Sequence, residues 1–153
     1  MHFEEMLLMS KTVKDDFLFR EGIEDLAPFV SDLIGWEDER QARKLIFIPS
    51  QSYVPEAVRS ALGTRFQNIY AEGYPPSQHV KANENELEDV AWHLANYRRY
   101  ADRRFYKGKE YANLLECLAQ RKAAELFATP DTPAEDIFVN VQALSGTPAN
   151  LGV

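Results

Sequence analysis

One carboxyl group lies among phenols in Tyr70-Ala71-Glu72-Gly73-Tyr74-Pro75. Glycine and proline mark this stretch as a turn, and turns held by a scaffold often carry chemistry. A carboxyl beside phenols can hold or pass a proton where water is partly excluded. The plain structural alternative is a helix end followed by a Gly-Tyr-Pro turn with two half-buried tyrosines. A second group is Ser145-Gly146-Thr147. Its two hydroxyls and successive backbone N–H groups can cradle a phosphate, and Gly146 lets a ligand approach the backbone closely. The plain alternative is a capped helix start, with Thr147 as N-cap and Pro148 as the first helical residue.

Other candidates carry less. Arg98, Arg99, Arg103 and Arg104 stand among Tyr97, Tyr100 and Tyr106, a mixture that can stack on nucleic-acid bases. In an acidic protein they read better as a basic helix end and a turn. His2, His79 and His93 have no ligand spacing, and the lone Cys117 reads as a small core residue, so no metal site is expected. No Ser-His-acid set can be nominated.

The elements that position these groups follow from periodicity. Ile23, Leu26, Phe29, Val30 and Leu33 recur at helical spacing, interrupted by Pro28 and followed by Gly35. Glu37 to Lys44 suits an exposed helix or its end. Leu45-Ile46-Phe47-Ile48, stopped by Pro49, reads as a buried extended piece. A helix is expected after Pro55, ending at Gly63. Leu87, Val90, Ala91, Leu94 and Tyr97 predict one helix from about Glu84 to Ala101. Tyr111, Leu114, Leu115, Leu118 and Leu126 predict another, ended by Thr129-Pro130. Ile137 to Val141 reads as a strand. The last residues begin a helix that has barely started at Val153, so the chain is expected to be a piece of a longer protein.

Composition bounds the function. A chain of 153 residues with 12% aromatics can build a core, which argues against a disordered tail. A net charge of −7 argues against general nucleic-acid binding. No apolar run is long enough to span a bilayer, and the first residues lack the basic start of a signal peptide. With one cysteine, a reducing, cytoplasmic setting is the simplest expectation.

Four segments taken in order resemble serine hydroxymethyltransferase. Ile48-Pro49-Ser50-Gln51-Ser52-Tyr53-Val54-Pro55 looks like the family's I-A-S-E-N-(aromatic)-x-(P or S) segment. Tyr70 to Pro75 matches its Y-A-E-G-Y-P motif at every position. Arg104-Phe105-Tyr106-Lys107-Gly108-Lys109-Glu110-Tyr111 looks like R-Y-Y-G-G-C-E-Y. Asn140-Val141-Gln142-Ala143-Leu144-Ser145-Gly146-Thr147-Pro148-Ala149-Asn150 looks like N-V-Q-P-H-S-G-S-Q-A-N. The likeness runs from about Asp38 to Val153 and corresponds to the N-terminal portion of the family's chain.

The resemblance implies an α/β fold class, namely the N-terminal part of a type I pyridoxal-phosphate-dependent transferase fold, mostly helical in this piece. Residues 1–37 would form a helical arm. Residues 38–153 would start the cofactor domain, with a helical insertion at about 77–103 and a C-terminal truncation. The resemblance also implies a homodimer with shared active sites (or a tetramer), pyridoxal phosphate as cofactor, tetrahydrofolate as co-substrate, and one-carbon transfer between serine and glycine. Ser50 would contact the amino-acid carboxylate. Tyr70 would reach the cofactor phosphate of the neighbouring subunit. Glu72 would handle protons near folate and the substrate hydroxyl, and Tyr106 would line the substrate site across the dimer. Ser145, Gly146 and Thr147 would hold the phosphate.

The chain departs from the family at Gln51, Ser52, Leu144 and Lys107, the last where a glycine is usual. None of its seven lysines occupies the family's cofactor-lysine motif, so the piece alone is expected to be inactive. Another type I pyridoxal-phosphate enzyme, such as an aldolase, and a non-catalytic binding or regulatory remnant are the alternatives.

Overall fold

A computed structural model describes residues 21–97 and 102–152. The chain divides into two compact units, one ending at Pro55 and one beginning at Glu56.

In the first unit, α1 (Ile23–Leu26) is followed by α2 (Pro28–Arg43). Pro28 does more than interrupt a helix: it starts one, at the position where its missing N–H costs nothing. The helix then runs through Gly35. Arg40 donates to Glu37 at 2.6 and 2.7 Å, and Gln41 donates to the same carboxylate at 2.8 Å. These bonds lower the Glu37 carboxyl to about 2. Neither helix buries a residue; Phe29 and Trp36 meet edge to face at 6.2 Å and stay more than half exposed. Leu45 to Ile48 has no regular secondary structure and is not buried, with Phe47 84% exposed. An extended run needs a ladder partner to bury its backbone, and no described strand supplies one. Ser50 lies in the turn that follows, where the Gln51 N–H donates to the Ile48 carbonyl at 3.0 Å.

The second unit opens with α3 (Glu56–Leu62), closed as expected at Gly63, whose N–H donates to the Arg59 carbonyl. A 3₁₀ turn (Arg65–Asn68) leads to the Tyr70–Pro75 segment. Three short helices follow: α4 (Ser77–Lys81), α5 (Glu84–Glu88) and α6 (Val90–Asn96). The single helix expected from Glu84 to Ala101 is therefore two, and Ala101 lies outside the described residues. Asp89 causes the break: it adopts a non-helical ψ of 69° and caps α6 by accepting from the Trp92 N–H at 3.0 Å. Asn83 and Glu86 form a reciprocal capping box at the start of α5.

The core forms where α4 and α5 meet α7 (Glu110–Phe127). Leu87 and Ala82 pack with Leu114 and Cys117, and Leu118 lies alongside. The buried face of α7 differs from the expected stripe. Ala112, Asn113, Leu114, Cys117 and Ala124 are buried, while Tyr111, Leu115 and Leu126 are exposed. The polar Asn113 sits on the inner face because Arg104 and Asp102 wait there for it. Cys117 is a core residue as expected, and burial pushes its thiol up to about 11.

A 3₁₀ turn (Ala134–Asp136) precedes the expected strand Ile137–Val141. That segment is not a strand, and Phe138 is 99% exposed. Among the described residues β-pairing is confined to two isolated bridges, Gly73 with Arg104 and Thr129 with Thr132. The described part is thus mostly helical, and the sheet of an α/β fold is not present in it. The last element, α8 (Gly146–Leu151), begins two residues earlier than expected. Ser145, not Thr147, is its N-cap, and Pro148 is its third residue.

Candidate functional site

Gly73 fixes the path of the Tyr70–Pro75 segment. Its φ is +99°, which side-chain-bearing residues rarely adopt, and a Cβ there would stand 2.6 Å from the Arg103 carbonyl oxygen. This close approach makes the antiparallel bridge to Arg104 possible, and the Phe105 N–H donates to the Glu72 carbonyl at 3.0 Å. Residues 104–106 are thereby laid beside residues 70–73. The consequence for the site is direct: the Tyr70 and Tyr106 rings stand 5.6 Å apart, tilted by 37°. Both remain at least half exposed, and Glu72 is exposed too. The expectation of half-buried tyrosines fits Tyr74, 54% exposed, and is corrected for Tyr70, 70% exposed.

Arg104 holds this arrangement from below. Its side chain is fully buried. Nη1 donates to the carbonyls of Ala71 at 2.6 Å and Gly73 at 3.0 Å, Nε to Asn113 Oδ1 at 2.8 Å, and Nη2 to Glu116 Oε2 at 2.6 Å. Asp102 accepts from the Arg104 N–H at 3.0 Å, from the Tyr97 hydroxyl at 2.8 Å and from Asn113 Nδ2 at 3.1 Å. These donors, with nearby Lys107, hold the Asp102 carboxyl below its usual range although burial opposes them. A buried guanidinium with several satisfied donors is a structural hub. Sequence reading placed Arg104 in a basic turn and missed this role; the arginine that opens the R-Y-Y-like motif was the available signal. Lys107, a departure from the family, donates to the carbonyls of Asp102 at 2.6 Å and Arg104 at 3.1 Å. It closes the turn that carries Tyr106.

At the third candidate segment, Ser145 makes no capping hydrogen bond to its own helix, and nothing stands within 4 Å of a Cβ built on Gly146. The hydroxyl and the open glycine are available to a phosphate. Gln142 ties the lead-in to this turn to the Glu72 loop, donating to the Gly73 carbonyl at 2.8 Å and to Glu116 Oε1 at 2.7 Å. Ser50 belongs to the first unit and is described there alone.

A sequence model of the family described as Serine hydroxymethyltransferase matches residues 23–99 and 87–153. The chain belongs to the serine hydroxymethyltransferase family. It is 32% identical over 149 residues to a serine hydroxymethyltransferase of Caenorhabditis briggsae, covering 97% of this chain and 24% of that one. It is 33% identical over 126 residues to one of Acidothermus cellulolyticus, covering 82% of this chain and 22% of that one. A Candida albicans protein named as cytosolic serine hydroxymethyltransferase is 34% identical over 132 residues, covering 86% of this chain and 22% of its own length. The chain thus spans about a quarter or less of the length of these curated relatives. Mitochondrial forms occur among the relatives as well. No solved structure matches the chain. The family match favours serine hydroxymethyltransferase over another type I family such as an aldolase.

The remaining clusters are not part of this site. His79 and His93, unrelated by sequence spacing, meet edge to face at 4.4 Å and are buried. Among the described residues no group of three or more His, Cys, Asp or Glu is placed to hold a metal. Among them, too, no helix is long and apolar enough to cross a membrane.

Proposed function

We propose that the protein carrying this chain interconverts serine and glycine, passing one carbon to or from tetrahydrofolate with pyridoxal phosphate as cofactor. The observation that supports this most is the convergence of three family motifs in one unit. The bridge at Gly73 sets Tyr70 and Glu72 beside Tyr106, and Gln142 links that loop to the approach of the Ser145 turn.

When bound, pyridoxal phosphate supplies an electron sink for the substrate's α-carbon. The chain's own residues divide the rest. Ser145, Gly146 and Thr147 hold the phosphate; the uncommitted Ser145 hydroxyl and the open face of Gly146 suit that group. Tyr70 reaches the phosphate of a neighbouring subunit, and Tyr106 lines the substrate site across the same seam. Glu72 holds or moves a proton at the substrate hydroxyl and near the folate. Ser50 contacts the substrate carboxylate. This assignment requires a homodimer or higher assembly. Its support is the apolar surface left uncovered, including Leu45, Phe47, Phe138 and Leu144, each at least 78% exposed. The cofactor domain is proposed to begin near residue 38 and to carry residues 77–103 as an insertion. The setting is proposed to be cytoplasmic.

The test is Glu72→Gln in the full-length protein. Serine- and tetrahydrofolate-dependent turnover is expected to fall by about 100-fold or more. Cofactor affinity, followed by protein fluorescence, should stay within about twofold, because Glu72 is not assigned to the phosphate. Unchanged turnover would remove Glu72 from the reaction.

A further inference from the structure

Glu116 sits in α7, outside the four family-like segments, and its carboxylate accepts from Gln120 of its own helix at 3.2 Å and from two donors that share a second acceptor. Oε2 accepts from Arg104 at 2.6 Å and Oε1 from Gln142 at 2.7 Å. Both donors also reach the Gly73 carbonyl, at 3.0 and 2.8 Å. Arg104 takes the Ala71 carbonyl too, and Phe105 takes that of Glu72. The carbonyls of 71, 72 and 73 are therefore all engaged, and the peptide carrying the Glu72 side chain has little freedom to shift. Gln142 stands three residues before Ser145, so one amide connects the loop that bears the carboxylate to the turn assigned to the phosphate.

We propose that Gln142, oriented by Glu116, is a positioning residue that sets the Glu72 carboxylate in register with the Ser145–Thr147 turn. The inference rests on the function proposed above. Its chemistry is specific: the position needs a donor that can face a carbonyl and a carboxylate at once. Gln142→Glu keeps the shape but offers only acceptors, and places a second carboxylate against Glu116. Gln142→Lys differs in shape but restores a multiple donor and a charge that suits Glu116. Gln142 is exposed, so both variants should fold.

The experiment compares the two variants in the full-length protein by thermal midpoint, hydrogen exchange at the Phe105 amide, and the pH dependence of turnover. Gln142→Glu is expected to exchange the Phe105 amide at least about tenfold faster at an unchanged midpoint. It should lose about 10- to 100-fold in turnover, with the acidic limb of the pH profile displaced and KM for serine changed much less. Gln142→Lys is expected to restore most of both. Unchanged Phe105 exchange in Gln142→Glu would overturn the proposal, as would a loss in both variants that follows the thermal midpoint alone. A wild-type protein without serine- and folate-dependent turnover would defeat the proposed function, and the exchange measurement would still decide the positioning.

Discussion

A methyl group at Gly73 would meet three backbone atoms of the facing segment within 3.2 Å, at a φ that already disfavours any side chain. Gly73→Ala is therefore expected to cost at least about 2 kcal/mol, measured by urea denaturation. It should also separate the Tyr70 and Tyr106 rings, lowering turnover more than a surface change of equal size. The side chains of the site differ in how they are held. Tyr70, Glu72 and Tyr106 are exposed and owe their placement to backbone bonds, whereas Arg104, Asp102 and Asn113 are buried and satisfied by one another. Removing one partner from such a group leaves an uncompensated polar atom, which is costlier than the bond itself.

At the scale of elements, α4 and α5, between the two site motifs, are short and depend on packing against α7. A five-residue helix has too few internal bonds to persist alone. Leu87, 1% exposed, packs from α5 in one core cluster with Leu114 and Cys117, while the Asn83–Glu86 box only satisfies the helix start. Leu87→Ala is expected to destabilise by about 2–5 kcal/mol and Asn83→Ala by about 1 kcal/mol. Chemical denaturation of the two variants checks the order. Equal losses would mean that capping, rather than burial, holds this region. Lys122 of α7 adds an exposed ion pair to Glu84 at 2.6 Å, a contact whose contribution is small.

At the scale of the molecule, pH bears on stability through a buried imidazole. Burial, then the neighbouring His93, lowers the pKa of His79, with Asp102 opposing. The folded protein therefore binds less proton at His79 than the unfolded chain does. The stability this contributes is full above the ordinary imidazole value of 6.5 and is lost as pH falls below it toward the depressed value. The thermal midpoint is expected to drop as pH falls below the ordinary imidazole value of 6.5, and His79→Leu should flatten that slope. A midpoint independent of pH over this range in the unaltered protein would show that His79 does not couple to folding. Much apolar surface also stays uncovered in both units, as in Phe47, Phe138 and Leu144. Surface of this kind is the expected face toward further chain or another subunit.

Residue order is enough for what is local. Turn residues, helix stops and hydroxyl-glycine spacing depend on the backbone preferences of a few neighbours. The Gly63 stop, the exposed charged end of α2 and the three motifs of the second unit are therefore legible in the amino-acid sequence. The family resemblance rests on those same motifs. Burial, by contrast, is settled by packing between segments distant along the chain. Packing turns Asn113, not Leu115, inward on α7, makes Arg104 the support of the Glu72 loop, and brings together two histidines fourteen positions apart. It also leaves Leu45–Ile48 and Ile137–Val141 without a ladder partner. A strand exists only where another backbone satisfies its hydrogen bonds, and none of the described segments does so for these two.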